Sequence, residues 1–280
     1  MKNLALILVC CLIVFTACAQ KPTADIVLQK VITASGGAEK LASINDQTWK
    51  CDFTMHVMPP GMPAEAQEGT EEGEEAAVEK TEETAPMAAQ AMPMTITYKR
   101  PDKLRFDTMD PAGNVVFSQC YDGTKGWTTQ MGQTMEMTGG QLDEYVAMAE
   151  TWVDGLANYK AKGYEVVLLP DEMVDDHKCY VLQATGKTGK PQKYYINQET
   201  NLVEKQTGEM TNMEGQWEVM SMTFKNYKMA DSVNVAVAQN VALLKEDGTL
   251  IWEAAMTEVL NNSGVEDAVF APKEMTTLKE

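Results

Sequence analysis

The chain has 280 residues, with 41 Asp+Glu against 23 Lys+Arg, a formal net charge of −18 and only two histidines. A surface that negative repels phosphate backbones and anionic headgroups, which argues against nucleic-acid binding and electrostatic membrane docking. Two histidines leave little basis for His-based metal sites or multi-His catalysis, while 44% hydrophobic residues suffice for one core of ordinary size.

The chain begins Met1-Lys2-Asn3, followed by an apolar run from Leu4 to Phe15 and then Thr16-Ala17-Cys18-Ala19. A basic start, a short apolar run and a small-residue exit predict a secretory signal peptide over residues 1–17. The run is shorter than the roughly 20 apolar residues of a membrane-spanning helix. Phe15-Thr16-Ala17-Cys18 resembles a bacterial lipobox, which implies lipidation of Cys18 and a tether over residues 18–24. Ordinary signal cleavage after Ala19 is the alternative. In that family Ala19 after the cysteine implies sorting to the outer membrane. Cys51, Cys120 and Cys179 then remain, with no C-x-x-C and no zinc-like spacing. They read as small buried hydrophobes on strands, or as one bridge and one free thiol.

One domain over residues 25–274 is expected, interrupted at 59–93. Those 35 residues hold nine Glu, one Lys and five of the eleven prolines, with no aromatic, Ile or Leu. Such a stretch buries too little apolar area to offset its ordering entropy and reads as a disordered acidic insertion of charge −8. Before it, Thr23 or Asp25 caps a helix through Ser35 that Gly36-Gly37 ends, and a shorter helical turn spans Ala38 to Ile44. Trp49 to Val57 alternates as a strand. After the insertion come strands led by Met94-Ile96-Tyr98, then Leu104 to Thr108, Val115 to Tyr121 and Gly126 to Thr129. From Gln141 to Ala157, Leu142, Tyr145, Val146, Ala149, Val153 and Leu156 recur at helical spacing. Strands resume at Tyr164–Leu169, Cys179–Ala184, Lys193–Asn197, Val203–Gly208, Glu218–Tyr227, Val233–Leu244 and Leu250–Val259. The fold class is α+β, mainly β: about eleven strands in a large curved antiparallel sheet with helices on one face.

Several segments taken together resemble the bacterial outer membrane lipoprotein-sorting family, the LolA/LolB-like carriers. Ile26-Val27-Leu28-Gln29-Lys30 through Gly37 is similar to its opening helix. Tyr98-Lys99-Arg100-Pro101-Asp102-Lys103-Leu104-Arg105-Phe106 is similar to its K-R-P turn, and Tyr121-Asp122-Gly123-Thr124-Lys125-Gly126-Trp127 to its D-G-x-x-x-W hairpin. Tyr194-Tyr195-Ile196-Asn197 and Val265 to Pro272 are similar to later segments. This sequence departs from that family at its acidic insertion, where the family usually has a short loop, and at Asp231 to Ala236, where many relatives carry a Gly and a Pro. The resemblance implies an unclosed β-barrel with the helices as a lid over an apolar concavity that shields acyl chains. It implies a lid latch at Arg100, with an exposed turn residue as the plainer reading. Trp49, Met55, Met94, Ile96 and Tyr98 are candidates for the cavity lining. Phe106, Phe117, Trp127, Met220 and Met222 complete that set, ordinary core filling being the alternative.

No H-E-x-x-H, G-x-S-x-G, S-x-x-K, phosphate loop or dinucleotide fingerprint occurs, and neither His56 nor His177 neighbours a nucleophile in sequence. The expectation is a non-enzymatic, periplasm-facing lipoprotein, monomeric and without cofactor or metal. Its partners would be a lipid or an acylated lipoprotein, with the membrane reached through the N-terminal acyl anchor. The alternative is an envelope sensor or scaffold that binds a protein segment in the same concavity.

Overall fold

The structure, a computed structural model, describes residues 22–57, 91–130, 132–212, 216–230 and 233–272. The predicted signal peptide, Cys18 and most of the predicted insertion lie outside these residues.

The chain opens with two short helices, α1 (Ala24–Ala34) and α2 (Ala38–Ser43). Thr23 caps α1 by accepting from the Ile26 amide at 3.3 Å, and Val27 and Leu28 are its buried positions. Gly36 joins the two helices at φ +121, and a Cβ there would lie 2.8 Å from the Asn234 carbonyl oxygen. Both the backbone conformation and the close approach therefore require glycine.

Five strands follow in a meander: β1 (Asp46–Met55), β2 (Ala91–Lys99), β3 (Lys103–Met109), β4 (Val115–Tyr121) and β5 (Gly126–Gln130), with a short β6 (Gln133–Glu136). After α3 (Gly139–Thr151) a second meander runs through β7 (Glu165–Val174), β8 (His177–Thr185), β9 (Pro191–Asn197), β10 (Val203–Thr211) and β11 (Trp217–Lys225). A small hairpin, β12 (Lys228–Ala230) with β13 (Val235–Val237), precedes β14 (Asn240–Lys245) and the long β15 (Leu250–Asn261). A 3-10 turn over Asp267–Phe270 closes the described chain.

Thirteen strands form one antiparallel sheet in the order β6-β5-β4-β3-β2-β1-β15-β14-β11-β10-β9-β8-β7, with β12 and β13 apart from it. Its two edges, β6 and β7, do not pair, so the sheet is an unclosed half-barrel, as the alternation and the resemblance led us to expect. Directly opposed residues share a face. The row Met55, Trp252, Leu243, Met222, Gln206, Tyr194, Leu182 therefore crosses the sheet on one side. This is the inner face, and both longer helices lie on it. α1 packs Val27 and Leu28 against Val166, Leu182 and Ile196, while α3 packs Tyr145 and Ala149 against Ile96, Tyr98 and Leu104. α2 and the β12–β13 hairpin meet in a third cluster of Leu41, Ile44, Val235 and Val237 at one end.

The outer face has its own cover. Arg105, only 1% exposed, bonds both carboxylate oxygens of Asp107 at 2.8 Å and donates through Nη1 to the carbonyls of Val269 (3.0 Å) and Ala271 (2.9 Å). Phe270 is fully buried, and Lys99 and Lys103 both reach Asp267. The segment after β15 is thus strapped across the outer side of β2–β4.

Four expectations change. β1 starts at Asp46, and β2 starts at Ala91 because Ala91, Met92 and Pro93 pair with Thr54, Phe53 and Asp52. The segment assigned to the insertion is therefore three residues too long. Pro93 lies beyond Met94, where the pairing with β3 ends, so its missing N–H is tolerated there. The expected strand over 233–244 is two strands, β13 and β14, which belong to different sheets. Among the described residues the large sheet has 13 strands rather than about eleven, with two more in the separate hairpin.

Cys51, Cys120 and Cys179 are free and buried, so no bridge links them. Burial pushes the Cys51 and Cys179 thiols up to about 12 and the Cys120 thiol up to about 11. Thiolate is the reactive form. Labelling the native protein at pH 8 with a thiol reagent should leave the peptides containing these three residues unmodified, and labelling in denaturant should modify all three. Rapid labelling of any of them in the native state would contradict their burial.

Candidate functional site

The apolar side of α3 fills the inner face of β1–β4 and β15. Trp152, just past the helix, stands 5.3 Å from Trp49 and 5.7 Å from Phe106 between ring centroids. Tyr145 lies edge-on to Phe106 at 5.8 Å, and Phe53 meets Trp252 at 5.7 Å. Aromatic pairs at these separations add to the area they bury. The inner face beneath α3 is therefore occupied by the protein's own side chains.

Polar contacts hold α3 in place along its length. Near its middle, the Glu144 carboxylate accepts the Thr211 amide at 3.1 and 3.2 Å. In its middle, the Tyr145 hydroxyl donates to the Gln119 carbonyl at 3.1 Å. Toward its end, Glu150 receives Lys187 at 2.7 Å through its carboxylate and Lys162 at 2.8 Å through its carbonyl.

The strongest clasp is at Arg100, in the turn between β2 and β3. Its Nη1 and Nη2 bond the two carboxylate oxygens of Asp154 at 2.9 and 2.7 Å, a bidentate fork. The same guanidinium donates from Nε to the Ile44 carbonyl at 2.6 Å and from Nη2 to the Leu41 carbonyl at 2.8 Å. One side chain thereby joins the sheet, the end of α2 and the segment after α3. Burial works to raise the Asp154 carboxyl, but the bonds and charge of Arg100 outweigh it and hold the carboxyl below the usual carboxylate range. A lowered carboxylate pKa means the pair stabilises the fold above the ordinary value and is lost only as pH falls through the depressed one. Mild acid therefore leaves the clasp intact.

The structure brings together Trp49, Met55, Met94, Ile96, Tyr98 and Phe106 in the cluster under α3. Phe117 pairs with Thr108, two positions along from the Phe106–Gln119 pair, and so shares their face. Met220 and Met222 share it too, on β11 between the areas covered by α1 and α3. Trp127 does not: it pairs with Cys120, which pairs with Arg105, so it stands on the outer face beside the strap. The sequence alone does not single out Trp152 or Asp154. Trp152 continues the stripe of Leu142, Tyr145 and Ala149, so periodicity could have found it. Asp154 is 54 residues from Arg100 and carries no local signal.

Two hollows, of about 420 and 370 Å³, flank α1 instead, the larger lined by Ile26, Gln29, Lys30, Thr33, Ala34 and Asn201. Among the described residues no group of three His, Cys, Asp or Glu is placed to hold a metal ion. None of the described helices is long and apolar enough to cross a membrane.

No family model and no curated protein matches the chain. Solved structures do. A DUF1329 family protein from Desulfovibrio piger aligns at a TM-score of 0.56 with 11% identity, over 90% of this chain and 98% of that one. A LolA superfamily protein from Nitrosomonas europaea aligns at 0.54 with 14% identity, over 90% and 99%. At such identities the likeness is one of fold: this chain has the half-barrel fold of a LolA superfamily structure.

Proposed function

We propose that the protein is a non-catalytic lipid carrier or receptor of the cell envelope. Its inner face takes an acyl chain of a lipid or an acylated lipoprotein when α3 moves aside. One observation supports this above the others: the apolar trough of β1–β4 and β15 is filled by a separate helix held at defined polar points, with Arg100 as a latch. A cover of that kind can be exchanged for another apolar occupant without unfolding the sheet. Each methylene removed from water contributes about 0.8 kcal/mol. About ten buried methylenes thus offset a latch of a few kcal/mol and leave a surplus for repacking the helix. The likeness in fold to a LolA superfamily protein supports the same reading.

In this reading residues 1–17 are removed as a signal peptide and lipidated Cys18 anchors the chain at the outer membrane, facing the periplasm. Anchoring by two or more acyl chains is stable where one is marginal. Cys18→Ser should move the protein from the membrane fraction to the soluble one, and unchanged partitioning would contradict the anchor.

Native mass spectrometry of protein purified with mild detergent tests the binding itself. The expected result is a population carrying phospholipid or acyl-peptide mass, displaced by a fluorescent fatty-acid probe. Protein that carries no lipid and ignores the probe would overturn the reading and leave the trough to a protein segment.

A further inference from the structure

The core under α3 lacks hydrogen-bond acceptors at one place. Trp49 Nε1 and Trp152 Nε1 are both shut off from solvent, and neither has a partner. Their rings are neighbours, 5.3 Å apart between centroids. Other polar groups of the same core are satisfied: the Tyr98 hydroxyl donates to the Pro101 carbonyl at 3.0 Å, and the Tyr145 hydroxyl to the Gln119 carbonyl. An indole nitrogen is a donor only, so what each lacks is an acceptor. Buried Trp N–H groups ordinarily find one, and leaving them without costs stability that phenylalanine would not.

Their position specifies what could supply it. Trp152 is two residues before Asp154, and Trp49 is three residues after Asp46, whose partner Lys99 directly precedes Arg100. Both tryptophans are thus near the Arg100–Asp154 clasp along the chain, and Trp49 packs against the Leu41 and Ile44 cluster whose carbonyls Arg100 holds. From Trp49, β1 runs six residues to Met55, about 20 Å. Along that path the inner face presents Cys51, Phe53 and then half-buried Met55, Met92 and Trp252. A complementary ligand has an uncharged acceptor at one end and a long apolar chain beyond it, which describes an acyl group attached through its carbonyl.

Resting on the acyl-binding reading above, we propose that Trp49 and Trp152 donate their indole N–H groups to the ester or amide carbonyl of the bound acyl group. The pair seats the head of the acyl chain at the Arg100 end of the trough and sets the register of the chain along β1. It also makes the site prefer acyl over plain alkyl chains, because an alkyl ether offers a weaker acceptor in the wrong place.

The test compares two soluble lipids in calorimetric titrations of the full chain: dioctanoyl-phosphatidylcholine and its dioctyl ether counterpart. The wild type should bind the diester about tenfold more tightly, the worth of one good hydrogen bond. Trp49→Phe with Trp152→Phe should bring the diester-to-ether affinity ratio down to about one, whatever the change in absolute affinity. The same comparison with an N-acylated peptide and its N-alkyl counterpart reads the amide source. A carbonyl preference in either arm that is lost in the double variant supports the proposal. Equal binding of carbonyl and non-carbonyl ligands by the wild type overturns it while leaving lipid binding standing, as does a preference that survives in the double variant. Binding of none of the four ligands overturns lipid binding itself, and this proposal with it.

Discussion

Arg100→Leu is expected to loosen α3 and raise the apparent affinity for a fatty-acyl probe. The variant leaves the Asp154 carboxylate and the carbonyls of Leu41 and Ile44 without the donors they have in the wild type. Breaking a fully buried ion pair costs about 3–5 kcal/mol. Here the side chains keep 28% and 17% of their exposure, so water screens part of the interaction and about 2 kcal/mol is a fairer figure. That lowers the melting temperature by about 4–8 °C in a domain of this size. If the loss falls on the closed arrangement alone, the open population and the apparent affinity rise by up to about 30-fold. Bound lipid would also be harder to release, because closure no longer competes with it. Asp154→Ala should act alike, and the double variant should add little, since both remove one interaction. A variant with lowered melting temperature but wild-type probe affinity and release would reduce Arg100 to a structural turn residue.

Arg105→Leu is expected to damage the fold rather than binding. Arg105 and Asp107 are 1% and 14% exposed at the side chain, so little water reaches this pair. Removing the guanidinium deprives Asp107 of its charge partner and takes the donor away from the Val269 and Ala271 carbonyls. The expected cost is about 3–5 kcal/mol, a drop in melting temperature of about 6–20 °C. The strap should then fray, exposing Phe270 and adding a limited-proteolysis cleavage after Glu266 that the wild type lacks. A variant that melts normally and resists proteolysis there would contradict the role given to the strap.

Much of this arrangement is legible in the amino acids because it is local. Thr23 as cap, Gly36-Gly37 as stop and the alternation of Met94, Ile96 and Tyr98 each act within a few residues. What escapes the sequence is set by pairing at a distance. Ala91-Met92-Pro93 has poor strand propensity, and becomes a strand because β1 offers Thr54, Phe53 and Asp52 as partners. Trp127 lies in a five-residue strand whose facing depends on the register with β4, and a shift of one residue reverses it. Arg100 stands out by resemblance alone, and its partner Asp154 reads in sequence as one more solvated carboxylate on the polar side of an amphipathic helix. Likewise the three thiols read in sequence first as small buried hydrophobes, with one bridge as the alternative that the fold removes by holding them apart.

Site-directed photo-crosslinking tests most directly whether the trough under α3 holds an acyl chain. The full chain would be irradiated with a fatty acid carrying a diazirine midway along its chain, and the modified peptides mapped. We expect adducts on the inner-face residues beneath α3, such as Phe53, Met94 and Phe106, enhanced in Arg100→Leu and suppressed by excess unlabelled lipid. Labelling confined to the outer face or to the hollows beside α1, or none that lipid can suppress, would contradict the account.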